Sequence, residues 1–391
     1  MPWKESYVVD ERLKFISKYL TGDYSMASLC REFNISRKTG YKLLSRYLLA
    51  GPVGLYDLCR APHSHPHAVS EEIVSEVLKA KAKNPRWGSR ILFNWLNRHY
   101  PGTRWPSPST IDRILARHGL TCPRRRSRRT PPYTQPFKKS DRPNLIWCAD
   151  FKGWFRTGDG KRCEPLTITD SYSRYALACR ALPKPTYAFV RPVFESVFRK
   201  YGLPWAIRTD NGTPFASSAL GGLSKLSVWW IKLGILPERI VPGHPEQNGR
   251  HERFHRTLKY EAISPPRYTL SEQQIAFDRF CHDYNHERSH KSLEDKTPSD
   301  YYHRSRRPMP SKTFEIAYPD HMIVRKVRAH GQIWWKGKEL FVSEILAGEP
   351  IAFEQIEEQL FKIFYSSIEL AHLDEKKGKI IKPPVKWKKR C

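Results

Sequence analysis

The sequence predicts a chain of several domains that is helical in its N-terminal third, α/β in the middle and β-rich at its C-terminal end. Apolar residues recur at helical spacing over 10–49 and 70–120, short apolar strands alternate with helices from residue 144, and short strands follow one another from residue 310. A length of 391 residues exceeds one ordinary domain and agrees with about two to four.

The composition indicates a globular and strongly basic protein. Hydrophobic residues make up 39% of the chain, and Lys plus Arg outnumber Asp plus Glu by 68 to 39, for a formal charge of +29. Because the charge runs along the whole chain, nucleic acid is favoured as the partner over a membrane surface. A basic protein that binds no polyanion is the alternative. No apolar run approaches the roughly 20 residues that span a bilayer, so we expect no membrane partner.

The cysteines and the N-terminal residues indicate the compartment. The chain starts without an apolar signal-peptide core, and no two cysteines form a C-x-x-C pair. A zinc ribbon or a disulfide scaffold is therefore not expected, and the pattern predicts a reduced, cytoplasmic protein. The eight cysteines are Cys30, Cys59, Cys122, Cys148, Cys163, Cys179, Cys281 and Cys391.

Residues 1–58 are predicted to form a helix-turn-helix domain. A short helix breaks at Asn34, and Ser36 is placed to cap the helix that follows. Two helices joined by a tight turn are the pattern that places a recognition helix in the DNA major groove. An ordinary helical hairpin has the same periodicity, but the charge of the chain favours DNA binding. The residues expected to contact DNA are Arg37, Lys38 and Lys42.

Residues 68–121 are interpreted as a second helix-turn-helix domain. Its first helix has acids in the opening turn, where the helix dipole favours them, and its last helix ends at Gly119. The stretch between the two domains is rich in Pro, Gly and His. Its histidines, His63, His65 and His67, lack further ligands at zinc spacing, so a loop is favoured over a metal site.

Residues 122–143 are predicted to be a basic linker. Five arginines within six positions, followed by prolines, cannot build a core. Such a density favours an extended arm that follows DNA phosphates, and a flexible solubilising linker is the alternative. The arginines expected to bind DNA are Arg124, Arg125, Arg126, Arg128 and Arg129.

Acids end two of the apolar strands predicted between residues 144 and 303. Asp150 closes "NLIWCAD", and Asp210 closes "PWAIRTD". Carboxylates at adjacent strand ends suit Mg²⁺, because rigid elements fix the oxygen positions that this ion demands. A third carboxylate is needed to hold two ions about 4 Å apart for phosphoryl transfer. Strand and helix alternation that begins with antiparallel strands indicates a mixed sheet.

Two glutamates in "PGHPEQNGRHERFHRTLK" compete for the third position. Pro245 and the turn at Asn248 predict a loop, with a helix beginning near Gly249. Glu246 then lies in the loop, where the backbone is poorly fixed, and Glu252 lies in the first helical turns. A rigid helix favours Glu252.

The predicted helix has two faces. Glu252, Arg256 and Lys259 project together, with His255 beside them, while the residues Phe254 and Leu258 mark the opposite, buried face. The helix would thus present one acid to metal ions and two basic residues to DNA. A solvated surface is the alternative for the two basic residues.

These motifs together resemble the integrase core of bacterial insertion-sequence transposases, relatives of retroviral integrases. The resemblance is carried by "CADF", "RTDNGTPF" and "PGHPEQNGRHERFHRTLK", and "YNHERSHKSLEDKTPSDYY" is similar to the segment after that core. It implies an RNase H-like fold with a mixed five-stranded sheet. It also implies that Asp150, Asp210 and Glu252 form an acidic triad, with Mg²⁺ as the cofactor and Mn²⁺ able to substitute.

One spacing departs from the family. Many relatives have about 35 residues between the second Asp and the Glu, a count that lands on Glu246, whereas Glu252 leaves 41. The local motif, in which the Glu follows Gly249 by three residues, favours Glu252. Asp159 and Asp170 lie at turn signals and are interpreted as turn formers. His244 is open between a contact to the scissile phosphate and a loop cap.

Residues 310–391 are predicted to form a small β-barrel with a basic tail. Short strands follow one another, and Gly337 supplies a hairpin turn. In relatives such a domain binds DNA, and a dimerisation or stability module is the alternative.

The sequence therefore predicts a transposase, a metal-dependent polynucleotidyl transferase. Its expected partners are double-stranded DNA, both terminal repeats and target, and further copies of itself in a homo-oligomer on the prokaryotic nucleoid. Two alternatives stay open: an RNase H-type nuclease or resolvase without strand transfer, and a non-catalytic DNA-binding regulator.

Overall fold

The computed structural model describes residues 7–60, 68–121, 140–240 and 249–381. The chain divides into two compact units, Met1–Val69 and Ser70–Cys391. Within the described ranges, no helix combines the length and the apolar character needed to cross a membrane.

The first unit contains the predicted helix-turn-helix. Its helices are α1 (Val8–Leu20), α2 (Met26–Glu32) and α3 (Arg37–Ala50). The Ser36 hydroxyl accepts a hydrogen bond from the Thr39 backbone N–H at 3.1 Å, so the predicted N-cap is present. Leu55, from a 3₁₀ turn that follows α3, is fully buried in the same core.

The second set of helices belongs to the larger unit. It comprises α4 (Glu71–Lys83), α5 (Ser89–His99) and α6 (Pro108–Arg117). α5 lies against the segment that follows the α/β core, because Trp95 Nε1 donates to Glu287 at 2.6 Å and Arg98 Nη2 donates to Asp300 at 2.9 Å. These helices are therefore fixed to the core by polar contacts.

The α/β core is built on a mixed sheet. Its strands are β1 (Ile146–Phe151), β2 (Phe155–Arg156), β3 (Arg162–Asp170), β4 (Ala176–Leu182), β5 (Ala206–Thr209) and β6 (Leu236–Arg239). The order is β4-β3-β1-β5-β6, in which β3 runs antiparallel to β4 and β1, and β5 runs parallel to β1 and β6. The predicted mixed five-stranded sheet is confirmed, and the two-residue β2 adds a sixth strand at β3.

Helices cover both faces of this sheet. The helices are α7 (Tyr187–Tyr201), α8 (Lys225–Lys232), α9 (Gly249–Leu258) and α10 (Leu270–His282). On one face, Phe194 and Phe198 of α7 and Trp230 of α8 pack with Trp147 of β1. On the other face, α9 and α10 pack against β3 and β4. Burial on both faces explains why β3 is buried at every position after its first.

The C-terminal region contains two open sheets. β7 (Ile323–Lys326), β10 (Pro350–Glu357), β11 (Leu360–Tyr365), β12 (Ile368–Asp374) and β13 (Lys379–Ile381) form one antiparallel sheet, and β8 (Gln332–Trp335) with β9 (Lys338–Phe341) forms a hairpin. The hairpin turns at Gly337, as predicted, where φ is 83°.

The prediction of a small β-barrel is corrected at this point. Closure requires hydrogen bonds between the edge strands, and among the described residues the hairpin pairs only within itself. Its Trp335 ring instead packs on Phe353 and Phe361, with ring centroids 4.5 and 5.1 Å away. Because the hairpin stacks on the sheet through side chains, the sheet stays open.

Gly40 sets the close approach of α3 to α1 and α2. A Cβ atom there would lie 2.6 Å from Cys30 Sγ and 2.9 Å from Met26 Sδ. We expect Gly40→Val to destabilise the first unit by about 1–3 kcal/mol, the usual cost of overpacking. Hydrogen exchange in the full chain should show this loss of stability as lower protection of the amides of α1–α3. Tyr41→Ala, at an exposed position of the same helix, is the control and should keep the wild-type protection. Unchanged protection in Gly40→Val would contradict this packing.

Candidate active site

Asp150 and Asp210 lie at the same edge of the sheet on neighbouring strands. β1 and β5 are parallel, with Cys148 opposite Arg208. Two residues further along, each strand reaches its acid, so the register brings Asp150 and Asp210 side by side. Both side chains are partly exposed. This edge can therefore offer two carboxylates to a ligand from solvent.

The loop after β5 is shaped around Asp210. The Gly212 N–H donates to Asp210 Oδ1 at 3.2 Å, and Asn211 Nδ2 donates to the Ile240 carbonyl at 2.9 Å. A Cβ atom at position 212 would lie 3.0 Å from Asp210 Oδ2. Glycine at this position thus leaves space around the carboxylate.

α9 presents Glu252 outward beside this edge. In the described residues the helix covers Gly249–Leu258. Its residues Phe254 and Leu258 are buried, as the sequence predicts. Glu252, Arg256 and Lys259 are exposed on the other side. His255 does not lie with them, because it is buried on the sheet side together with His251. The expected position of His255 is therefore wrong.

His251 and His255 anchor α9 to β3 through one hydroxyl. Thr167 Oγ1 lies 2.6 Å from His251 Nε2 and 2.7 Å from His255 Nε2, and it donates to the Asp150 carbonyl at 2.9 Å. Since the hydroxyl proton goes to that carbonyl, the oxygen accepts an N–H from each ring. Thr169 Oγ1 lies 3.2 Å from His251 Nδ1.

The two imidazoles are neutral. Burial lowers the pKa of His251 to about 3, and burial together with the nearby His251 and Lys152 lowers the pKa of His255 as well. A neutral pair adds no repulsion beneath a helix that already carries basic residues. The i, i+4 spacing of the histidines was the signal in the sequence that could have revealed this contact.

Among the described residues, one group of side chains brings potential metal ligands close together. One nitrogen or oxygen from each of Asp150, His251 and His255 lies within 4.8 Å of the others. However, both Nε2 atoms are engaged by Thr167. The carboxylates of Asp150, Asp210 and Glu252 do not form such a close group in the described structure. Their oxygen atoms are nevertheless the type of ligand that Mg²⁺ takes. The donor chemistry of the site thus fits the ion that the resemblance implies.

Asp170 is a structural acid. It is 1% exposed, and its carboxylate accepts from the Asn144 N–H at 2.8 Å and from the Ser173 N–H and O–H at 2.8 and 2.6 Å. Burial raises its pKa, although these hydrogen bonds oppose the shift. Asp159 likewise accepts from Thr157 within its turn. Both were interpreted as turn formers.

The other predicted DNA-binding and loop residues belong to the first unit or lie outside the described residues. Arg37, Lys38 and Lys42 are exposed on α3 in the first unit. Glu246, His244, the histidines at 63, 65 and 67, and the five arginines between 124 and 129 lie outside the described residues.

Family models match four stretches of the chain. Two models described as "Integrase core domain" match residues 140–245 and 233–298. A "Homeodomain-like domain" model matches residues 39–115, and a "Helix-turn-helix domain" model matches residues 11–63. The chain therefore carries helix-turn-helix DNA-binding domains in front of an integrase-type core.

Proteins of insertion elements are among the relatives. The chain is 25% identical to the "Insertion element IS407 uncharacterized 31.7 kDa protein" of Burkholderia multivorans over 71% of this chain and 94% of that protein. It is 24% identical to the "Insertion element IS476 uncharacterized 39.2 kDa protein" of Xanthomonas euvesicatoria over 60% of this chain and 66% of that protein. The resemblance recognised in the sequence is thus confirmed.

A solved structure is also similar. The integrase catalytic core domain of HTLV-2, solved in complex with magnesium, is 18% identical with a TM-score of 0.34, over 42% of this chain and 100% of that domain.

Asp170 and Asp210 should respond differently to mutation. Asp170→Ala leaves three buried donors without an acceptor, and we expect a loss of at least about 3 kcal/mol in the free energy of unfolding, since each unpaired group costs about 1–3 kcal/mol. Asp210→Asn keeps Oδ1 as an acceptor and should change stability little. Urea unfolding followed by tryptophan fluorescence measures both. An equal loss in the free energy of unfolding in both variants would contradict a structural role for Asp170 and a ligand role for Asp210.

Proposed function

We propose that the protein is a DNA transposase that binds the terminal repeats of its mobile element and catalyses Mg²⁺-dependent strand cleavage and strand transfer. The observation that carries this proposal is the parallel register of β1 and β5, which puts Asp150 and Asp210 side by side, next to a helix that bears Glu252. The family matches and the basic charge support DNA as the substrate.

The carboxylates would hold the catalytic ions. Asp150, Asp210 and Glu252 supply the oxygen ligands, and Mn²⁺ can replace Mg²⁺ because it also accepts them. When bound, the ions supply activation of the attacking oxygen and stabilisation of the leaving oxygen. The neutral His251 and His255 keep α9 in place without adding charge beside these ligands.

Two chemical steps follow at one site. In cleavage, a water oxygen bonds to the scissile phosphorus, the bond to the 3′ oxygen breaks, and a 3′-hydroxyl and a 5′-phosphate result. In strand transfer, that 3′ oxygen bonds to a target phosphorus and the target's own 3′ oxygen leaves. The exposed Arg256 and Lys259, on the face of α9 that bears Glu252, would hold the DNA phosphates in line.

The remaining regions would bind DNA. Residues 1–58 and 68–121 recognise the terminal repeats, with Arg37, Lys38 and Lys42 exposed at the start of the recognition helix. The linker over 122–143 follows the phosphates, the core spans 144–303, and the β-rich region over 310–391 adds a further basic surface. Joining two element ends in concert requires a homo-oligomer on DNA.

Strand cleavage and joining test this function. DNA that flanks the coding sequence is incubated with the full chain in Mg²⁺, and nicked and joined products are resolved on a denaturing gel. Wild type and Glu246→Gln should cut and join, whereas Asp150→Asn, Asp210→Asn and Glu252→Gln should bind DNA and lose both reactions by at least about a thousandfold, since each removes a metal ligand.

Other outcomes would overturn parts of the proposal. Cutting without joined products would favour a nuclease or resolvase. Binding without reaction by any variant, wild type included, would favour a regulator. If Glu246→Gln loses cutting and joining while Glu252→Gln keeps both reactions, the third carboxylate is Glu246 and not Glu252.

A further inference from the structure

A cavity of about 250 Å³ lies on a different face of α9 from Glu252. α9 lines it with Arg250, Arg253 and Thr257, which follow one another at helical spacing, whereas Glu252, Arg256 and Lys259 occupy another face. The other walls come from the turn between β3 and β4, from the segment after α10, and from α5. We term it the arginine pocket and define it by Arg174, Arg250, Arg253, Arg288 and His290.

The pocket carries more positive than negative charge. Arg288 pairs with Glu261 at 2.5 Å, and Arg90, at the rim, donates to Asp295 at 2.9 Å. No carboxylate among the described residues pairs with Arg174, Arg250 or Arg253, and the only acid in the described lining is Asp295. Three guanidinium groups therefore face the same cavity without a counterion from the part of the chain that the structure describes.

Two buried nitrogen atoms at the pocket have no hydrogen-bond partner in the described structure. They are Arg174 Nε and His290 Nε2. A buried polar atom without a partner is costly, and most buried polar atoms in folded proteins are paired. Of these two atoms, Arg174 Nε is a donor, whereas the neutral ring of His290 hydrogen-bonds the Tyr284 backbone through its other nitrogen. Arg250 donates a hydrogen bond from Nη1 to the Ser171 carbonyl at 3.1 Å. Counting partners among the described residues alone, guanidinium donors of Arg174, Arg250 and Arg253 are thus available to a ligand.

The electrostatics of the pocket favour an anionic ligand. Burial, followed by the charges of Arg250 and Arg253, lowers the pKa of Arg174. Burial, with Arg288 and Arg174, lowers the pKa of His290 to about 3. Mutually repelling cations in a partly buried site are unfavourable unless an anion binds there.

We propose that the arginine pocket binds one phosphate group of DNA, at a site separate from the phosphodiester that reacts. Arginine forks match phosphate oxygens in pairs of hydrogen bonds, and the residues Thr257, Ser289 and Ser292 also line the cavity. The volume lies below the roughly 300–1,000 Å³ of ordinary small-molecule sites, which suits a phosphate better than a whole nucleotide. DNA as the source rests on the proposed function.

Binding there would connect three parts of the molecule to one DNA strand. The pocket joins α9 to the segment after α10 and, through Arg90, to α5. A phosphate in the pocket would fix a second face of the helix that carries Glu252, and would thereby position that carboxylate relative to the DNA.

The free protein provides the first test. Arg253→Gln and Arg174→Gln should unfold at no lower temperature than wild type, because each removes one of three repelling charges. Inorganic phosphate, compared with chloride at equal ionic strength, should raise the unfolding temperature of wild type more than that of either variant. A clear loss of stability in both variants without phosphate would make these arginines structural and overturn the proposal.

DNA binding provides the second test, measured without divalent metal so that no reaction occurs. The logarithm of the binding constant of a duplex is plotted against the logarithm of salt concentration. Each pocket variant should flatten the slope by about one, the value of one lost phosphate contact, and weaken binding about tenfold at moderate salt. Arg279→Gln, an exposed arginine on α10 with its side chain 78% accessible, is the matched control and should change neither.

A neutral methylphosphonate placed at successive positions of the duplex then locates the contact. At one position, the methylphosphonate should weaken DNA binding by the wild-type protein and should not change DNA binding by the pocket variants. An unchanged slope in both variants, with phosphate still stabilising wild type, would assign the pocket to free phosphate and overturn the DNA assignment. The wild-type protein could also fail to cut or join DNA while the pocket variants still flatten the salt slope. That result would uphold the phosphate contact in the pocket and overturn the proposed function.

Discussion

The contact between Thr167 and the two histidines of α9 is the interaction on which the rest of the candidate site depends. One hydroxyl on β3 joins His251 and His255 to the carbonyl of Asp150. Three buried hydrogen bonds of about 0.5–1.5 kcal/mol each therefore fix a helix against the strand that holds the first acid. Because the helix is rigid, the same contact sets the position of Glu252, one residue after His251 in the chain.

Charge on α9 is distributed by face. The buried face carries neutral imidazoles, the face with Glu252 carries one acid and two basic residues, and the third face contributes to the arginine pocket. Each face suits a different neighbour: the sheet, metal ions with the reacting strand, and a phosphate elsewhere on the DNA. A chain with a formal charge of +29 repels itself, and DNA phosphates would relieve that repulsion.

Local patterns in the sequence were sufficient for much of the fold. The cap at Ser36, the hairpin at Gly337 and the strand-terminal acids at Asp150 and Asp210 all follow from residues close in the chain. The prediction of a C-terminal barrel was wrong because closure depends on hydrogen bonds between edge strands. The sequence pattern of short strands does not indicate whether those edges pair. The anchoring of His255 was missed because Thr167 is 88 residues away. The arginine pocket was missed for the same reason, since its walls come from four separate segments.

Metal binding by the full chain tests most directly whether α9 completes a carboxylate site with β1 and β5. Mn²⁺ would be titrated into the protein without DNA, and the electron paramagnetic resonance signal of the free ion would report the bound fraction. Asp150→Asn, Asp210→Asn and Glu252→Gln should each weaken binding by at least about tenfold, since each removes an oxygen ligand, while Glu246→Gln should bind as wild type does. Loss of binding in Glu246→Gln but not in Glu252→Gln would contradict the site built on α9.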